Sequence, residues 1–273
     1  MITAVLSGGG AKAAAHAGAL RGLAASGLVP TRYIATSMGA VIATMAGLGL
    51  SPDEIAEQLL SVRRRDLFRM DRSSIVRGLF ARSLLKPEPF RRILEQLVPA
   101  TSFDQLAVPV SLTASDLDTG ALVVFGAGGE DAPLIDALCA SAALPPYFPP
   151  YVMGERRLAD GGLRGVVPLD VAARFPAELV IVIDVGAGFD TMPSPDAGSI
   201  PALLRLQNDA QRILMASNTM AQRALWEATA GRPRLLWIRP KVRRGDTFAT
   251  EQLRWYFEEG ERASRAAVTL SRS

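Results

Sequence analysis

The stretch VLSGGGAKAAAHAGAL, Val5 to Leu20, decides how the rest of the chain is read. An apolar run, three glycines and an alanine-rich segment in succession predict a strand, a close backbone turn and a helix. Such a turn brings main-chain N–H groups up to a ligand, and two ligands suit it: a phosphate, or a carbonyl oxygen in mid-reaction. Gly8, Gly10 and Ala13 fit the dinucleotide frame G-x-G-x-x-A. That frame also wants an acid about twenty residues on to hold the ribose. No Asp or Glu occurs before Asp53. A nucleoside-triphosphate loop fails as well, because Lys12 is neither preceded by Gly nor followed by Ser or Thr.

Outward from this stretch, Ile2 to Leu6 reads as a strand, Ala11 to Ser26 as a helix, Tyr33 to Thr36 as a strand and Met38 to Leu48 as a helix. That order implies a parallel sheet with right-handed crossovers. SPDE at Ser51 carries a cap, a first-turn Pro and two acids, and predicts a helix to about Val62. Further strands are expected at Val108 to Ala114, Ala121 to Phe125, Arg157 to Ala159, Leu179 to Val185 and Arg234 to Ile238. Helices are expected at Ala132 to Ala143, Ile200 to Thr229 and from about Glu251, with a loop over Gly186 to Gly198.

With 273 residues, 49% of them apolar, the chain is read as a single domain, 1–273, with ample core. Thirty Lys and Arg against 27 Asp and Glu are too balanced for a nucleic-acid groove, so no nucleic-acid partner is expected. The lone cysteine, Cys139, excludes an internal disulfide and suits a reducing, cytoplasmic setting. One cysteine and one histidine also exclude the usual His/Cys zinc site. A signal peptide is not expected, because the N-terminus lacks a basic region and Lys12 interrupts the apolar run. Tyr33 to Leu50 carries no charge over a length that could span a bilayer, but its Gly, Ala, Ser and Thr content favours a strand, a turn and a buried helix. Arg63 to Arg92 interleaves ten basic residues with apolar ones against three acids. It reads either as a solvated helical excursion or as a basic cap resting on anionic lipid.

The second strand ends in ATSMGA, which is the frame G-x-S-x-G with Ala35 in first position. A serine on such a strand-to-helix turn can be held exposed as a nucleophile; a buried capping serine is the alternative. A serine nucleophile needs a base, and no histidine follows His16. The base is therefore His16 or a carboxylate, with His16 placed one turn into the first helix, where packing or orienting the glycine loop suits it. Asp160 and Asp184 are the candidate acids at strand ends, and Gly161 and Gly162 leave room beside Asp160.

Three separated pieces, GGGAKA at Gly8, ATSMGA at Ala35 and ADGG at Ala159, occur in an order and spacing that resemble the patatin-like phospholipases. TASDLDTGALVVF and ASAALPPYFPP between them are similar to that family's connecting segments, and the resemblance covers about residues 1–185. It implies an α/β three-layer sandwich around a mainly parallel sheet, completed by residues 199–270. It implies a serine lipid acyl hydrolase without cofactor or metal, acting on carboxylic esters of phospholipids or lysophospholipids. Ser37 would be the nucleophile and Asp160 the base, with Gly8, Gly9, Gly10 and Ala11 as the oxyanion loop and the N–H groups of the last three as donors. Lys12, Gly39, Gly161 and Gly162 would support them. Contact with an anionic membrane would run through residues 63–92. Ala35 and Ala13 replace glycines of the family pattern, which puts the rate in question more than the reaction type. A lipid-binding module with little turnover and an acyltransferase are the competing functions.

Overall fold

The computed structural model describes residues 1–63, 66, 69–70, 83–189, 202–243 and 250–272. Within the basic stretch expected to form a cap, residues 64, 65, 67, 68 and 71–82 lie outside the described residues, as do residues 190–198 of the expected loop.

The strands are β1 Ile2–Leu6, β2 Arg32–Thr36, β3 Val110–Asp116, β4 Leu122–Gly126, β5 Tyr151–Met153, β6 Arg156–Asp160, β7 Leu179–Ile183 and β8 Arg234–Ile238. They form one sheet in the order β5-β6-β3-β2-β1-β7-β8, with β4 also on β3. The β2, β1, β7 and β8 pairings and β2 on β3 are parallel, and only the β4, β5 and β6 corner is antiparallel. The helices are α1 Ala14–Ala24, α2 Met38–Gly47, α3 Pro52–Ser61, α4 Pro87–Leu97, α5 Leu134–Ser141, α6 Leu169–Ala172, α7 Ala202–Ala228 and α8 Leu253–Arg272.

Alternation along the central strands divides the core into two layers. Ala4, Leu6, Ala35, Ile181 and Ile183 join the large cluster with α1, α2, α4, α5 and α8. Val5, Ile34, Val180 and Val182 point the other way, into a smaller cluster with Leu169, Val171 and Trp226 from α6 and α7. The architecture is therefore the three-layer α/β sandwich expected, with a thin second layer. The expected helix at Ala11 begins as a 3₁₀ turn, Gly10–Ala13, before α1. Sequence reading missed β5, whose three residues are too few to show an alternation and whose Val152 is exposed.

The uncharged run Tyr33 to Leu50 resolves into β2, a one-residue turn and α2, whose Gly39 to Gly47 are all buried in protein. Among the described residues no helix is long and apolar enough to cross a membrane. Ser51 caps α3 through the reciprocal box with Glu54, as its sequence requires.

Candidate active site

A partner switch along one edge of β3 builds the site. β2 runs beside β3 as far as the pair Thr36 and Thr113. The next residue of β3, Ala114, pairs with Asp160 of β6 on one edge and with Val123 of β4 on the other. β6 therefore takes over the edge that β2 leaves, and it runs antiparallel to β3. The C-terminal ends of β2 and β6 consequently meet head to head, bringing Ser37 and Asp160 together from positions 123 residues apart in sequence.

Ser37 occupies the turn between β2 and α2 with φ 57 and ψ −134. It is the one non-glycine residue with positive φ among the described residues. Such a conformation costs on the order of 1–3 kcal/mol and persists only where its surroundings fix it. Here the Ser37 N–H donates to Ser141 Oγ at 2.9 Å, and the Ala40 N–H donates to the Ser37 carbonyl at 2.9 Å. A methyl group on Gly39 would overlap the carbonyl oxygen of Ser7, so only glycine lets α2 start this close to the end of β1. The serine is left half-exposed at the head of α2.

Asp160 is 2% exposed. Its Oδ1 accepts the Gly162 N–H at 2.7 Å, and the Ser37 side chain lies close enough to the carboxylate to favour its charged form. Burial pushes its pKa up to about 6, although the Ser37 hydroxyl and the Gly162 N–H both pull it down. The main chain of Asp160 is tied on both sides, its N–H to the Ala143 carbonyl at 3.0 Å and its carbonyl to Ser115 Oγ at 2.9 Å. Ser141 and Ala143 thus hold the two chain ends in one frame. Sequence reading assigned neither a role, and the family-like ASAALPP segment that contains them was the available signal.

The glycine loop lies beside the serine: a Cβ built on Gly8 would stand 3.1 Å from Ser37 Cβ and 3.8 Å from its Oγ. The Gly8 N–H is already bonded to the Val166 carbonyl at 3.1 Å. Gly8, outside the expected donor set, serves the loop by its missing side chain. Gly10 has φ 60, and the 3₁₀ turn that follows leaves the N–H groups of Gly10 and Ala11 without an intrahelical acceptor. Gly9, Gly10 and Ala11 are half-exposed. Lys12 is 8% exposed and points into protein rather than solvent.

His16 is fully buried, and desolvation lowers its pKa to about 4, so the imidazole is neutral. Its Nε2 lies 2.9 Å from the Ser7 carbonyl oxygen and donates to it. Ser7 Oγ in turn donates to the Gly8 carbonyl and accepts the Val185 N–H at 2.8 Å. The lone histidine therefore braces the glycine loop. Asp184 is ion-paired through Oδ2 to Arg239 at 2.7 Å and bonded through Oδ1 to the Gly186 N–H.

The two alanines that replace family glycines sit in ordinary backbone. Ala35 is an interior strand residue, fully buried. Ala13 caps α1 at φ −59 and ψ −18. Neither position requires glycine.

Comparison with known proteins identifies the family and the fold. The family model for patatin-like phospholipase matches residues 4–173. An uncharacterized NTE family protein of Mycobacterium tuberculosis is 31% identical over 196 residues, covering 72% of this chain and 52% of that one. The patatin-like phospholipase domain-containing protein 7 of Rattus norvegicus is 28% identical over 197 residues, 70% of this chain and 14% of its own length. VipD from Legionella pneumophila matches in fold with a TM-score of 0.51 at 14% identity, over 98% of this chain and 66% of that one. The chain spans about half the length of the mycobacterial relative.

Proposed function

Since the chain belongs to the patatin-like phospholipase family, we propose that it is a serine lipid acyl hydrolase that cleaves carboxylic esters of phospholipids or lysophospholipids on a Ser37–Asp160 dyad. One observation carries the assignment: a strained, half-exposed serine set beside a buried carboxylate whose pKa is raised to about 6. A general base works best when its pKa lies near the working pH, and an ordinary aspartate is too weak a base there. Burial makes up much of the difference that a histidine would otherwise supply.

Asp160 takes the Ser37 hydroxyl proton as Oγ forms a bond to the ester carbonyl carbon. The N–H groups of Gly9, Gly10 and Ala11 stabilise the oxyanion, each such donor contributing about 3 kcal/mol. The tetrahedral intermediate then breaks its bond to the leaving alcohol, which receives the proton from Asp160. Water gives a proton to Asp160, attacks the acyl-enzyme, and releases the fatty acid as Ser37 Oγ recovers its proton. The N-terminal end of α2, aimed at Ser37, favours the negative charge that develops there.

A fluorophosphonate probe tests the assignment, because it reacts only with an activated serine. Wild type is expected to carry the adduct on Ser37 by peptide mass spectrometry, and Ser37→Ala to lose both labelling and lysophospholipid hydrolysis. An unlabelled Ser37 in a protein without turnover would support the binding-module alternative instead. Formation of a new ester rather than free acid on adding an alcohol would mark an acyltransferase.

A further inference from the structure

The 27 residues of α7 make a helix about 40 Å long, whose Trp226 joins the cluster on the second sheet face. Its inner side rests on the protein: Ala216, Thr219 and Trp226 are buried, and the Trp226 indole donates to the Pro233 carbonyl. On its outer side Leu203, Leu206, Ile213, Leu214, Met220 and Leu225 are 46–70% exposed. At 100° per residue these six fall within an arc of about 140°. No Asp, Glu, Lys or Arg of Leu203 to Ala228 falls in that arc; its other members are Gln207, Ser217 and four alanines. A charge-free apolar face of this length on an exposed helix marks a surface that meets another apolar phase.

The face is also tied to the site. Met215, on the inner side of α7, reaches within 3.7 Å of where a Gly162 side chain would begin, and Asn218 and Gln222 lie against Gly165. α7 is therefore the layer that covers the segment immediately after Asp160. Leu163 on that segment is itself partly exposed.

We infer that the outer face of α7 is a lipid-docking surface that lays the protein on a bilayer through apolar contact, without requiring anionic headgroups. This rests on the hydrolase reading, which places the substrate in that bilayer. Two features favour lipid over a second copy of the chain. The arc is wider than the narrow two-position seam of a coiled-coil pair, and suits a continuous apolar medium. The charges bordering it are matched along their own helix, Arg223 with Glu227 at 2.8 Å and Arg212 with Asp209 at 3.7 Å. They are poorly placed to fix register with a partner helix.

The experiment is flotation of the Ser37→Ala protein with phosphatidylcholine vesicles at low and high salt, which needs no turnover. Binding is expected to be insensitive to salt, and Leu206→Glu with Leu214→Glu to weaken it at least tenfold. In the catalytically intact background the same pair should lower hydrolysis of vesicle lipid at least tenfold and leave hydrolysis of a monomeric short-chain ester within twofold. Thermal melting of the double variant checks that it folds. Leu214→Trp gives an independent reading, a fluorescence blue shift on vesicle addition beyond that of wild type. Unchanged flotation of the double glutamate variant, or wild-type binding only to anionic vesicles, would overturn the inference. So would a wild-type dimer in light scattering that the variant converts to monomer. Loss of all hydrolysis with vesicle binding intact would count against the catalytic reading alone.

Discussion

Asp160 at the end of β6 and Asp184 just past β7 begin from nearly the same local design. Both are buried, and each accepts the N–H of the glycine two residues ahead, Gly162 at 2.7 Å and Gly186 at 3.0 Å. What differs is the remaining partner. Asp184 faces the Arg239 guanidinium at 2.7 Å, which compensates its charge and ties β7 to the end of β8. Asp160 faces a hydroxyl, and no cation is paired with it among the described residues. A buried carboxylate with a matched cation is a structural tie, whereas one beside a hydroxyl keeps an affinity for the proton that hydroxyl carries.

The largest expected effect separates the two acids by rate. Asp160→Asn should lower kcat/KM by about 10³-fold, within the range for loss of a general base, in a protein that still folds. Asp184→Asn should keep kcat/KM within about threefold, measured below its melting temperature. Equal losses in the two variants would break the contrast.

Stability should divide them the other way. Arg239→Met leaves Asp184 buried without its cation, which destabilises by about 3 kcal/mol in urea unfolding. Adding Asp184→Leu should recover most of that. No recovery would mean that Arg239 acts through contacts other than its ion pair.

Much of this pair was already visible in the sequence, and the part that was not has a physical reason. Two acids at strand ends followed by glycine can be picked out from pattern, as can the serine turn, because strand-to-helix elbows need small residues at fixed offsets. Which acid meets Ser37 depends on β6 displacing β2 from the β3 edge, through an antiparallel pairing of β6 with β3 across about forty intervening residues. No local pattern encodes that pairing; the room left by Gly161 and Gly162 favoured Asp160 only modestly, and the family resemblance made the assignment. That the Val166 carbonyl takes the Gly8 N–H was likewise not legible, because Val166 is remote from Gly8 in sequence. His16 was readable as a brace rather than a base from its place inside an apolar helix, but its partner Ser7 was not. The exposed face of α7 could be seen as a long helix and not as an open one, since sequence shows apolar residues on both of its sides without saying which side the sheet takes.

The pH dependence of Asp160 sharpens the contrast further. Its folded pKa of about 6 lies above the ordinary 3.8, so the carboxyl favours folding fully below about pH 4, and that contribution is lost as pH rises through 6. Asp160→Asn removes the ionisation cost, so the variant should gain on wild type by up to about 3 kcal/mol between pH 4 and pH 7.5, read by urea unfolding at both. Catalysis should run oppositely, kcat/KM rising with pH about a midpoint near 6 as the base ionises. A stability gap that does not change with pH would mean Asp160 ionises as an exposed acid does.

The smallest effect concerns the elbow itself. If the chemistry depends on what the carboxylate faces, then packing under the serine should matter little to rate. Ala35 is the test, because its methyl was the suspect departure from the family pattern, yet its backbone is that of an ordinary strand and its side chain belongs to the large core cluster. Ala35→Gly removes buried volume and adds freedom to the unfolded chain, which together should destabilise by about 1 kcal/mol. The expected kcat/KM stays within twofold of wild type, because Ser37 keeps its φ through Ser141 and Gly39 rather than through Ala35. A tenfold or larger rise in rate would show that the methyl restrains the nucleophile, and would move part of the difference between the two acids from charge to the geometry of the turn.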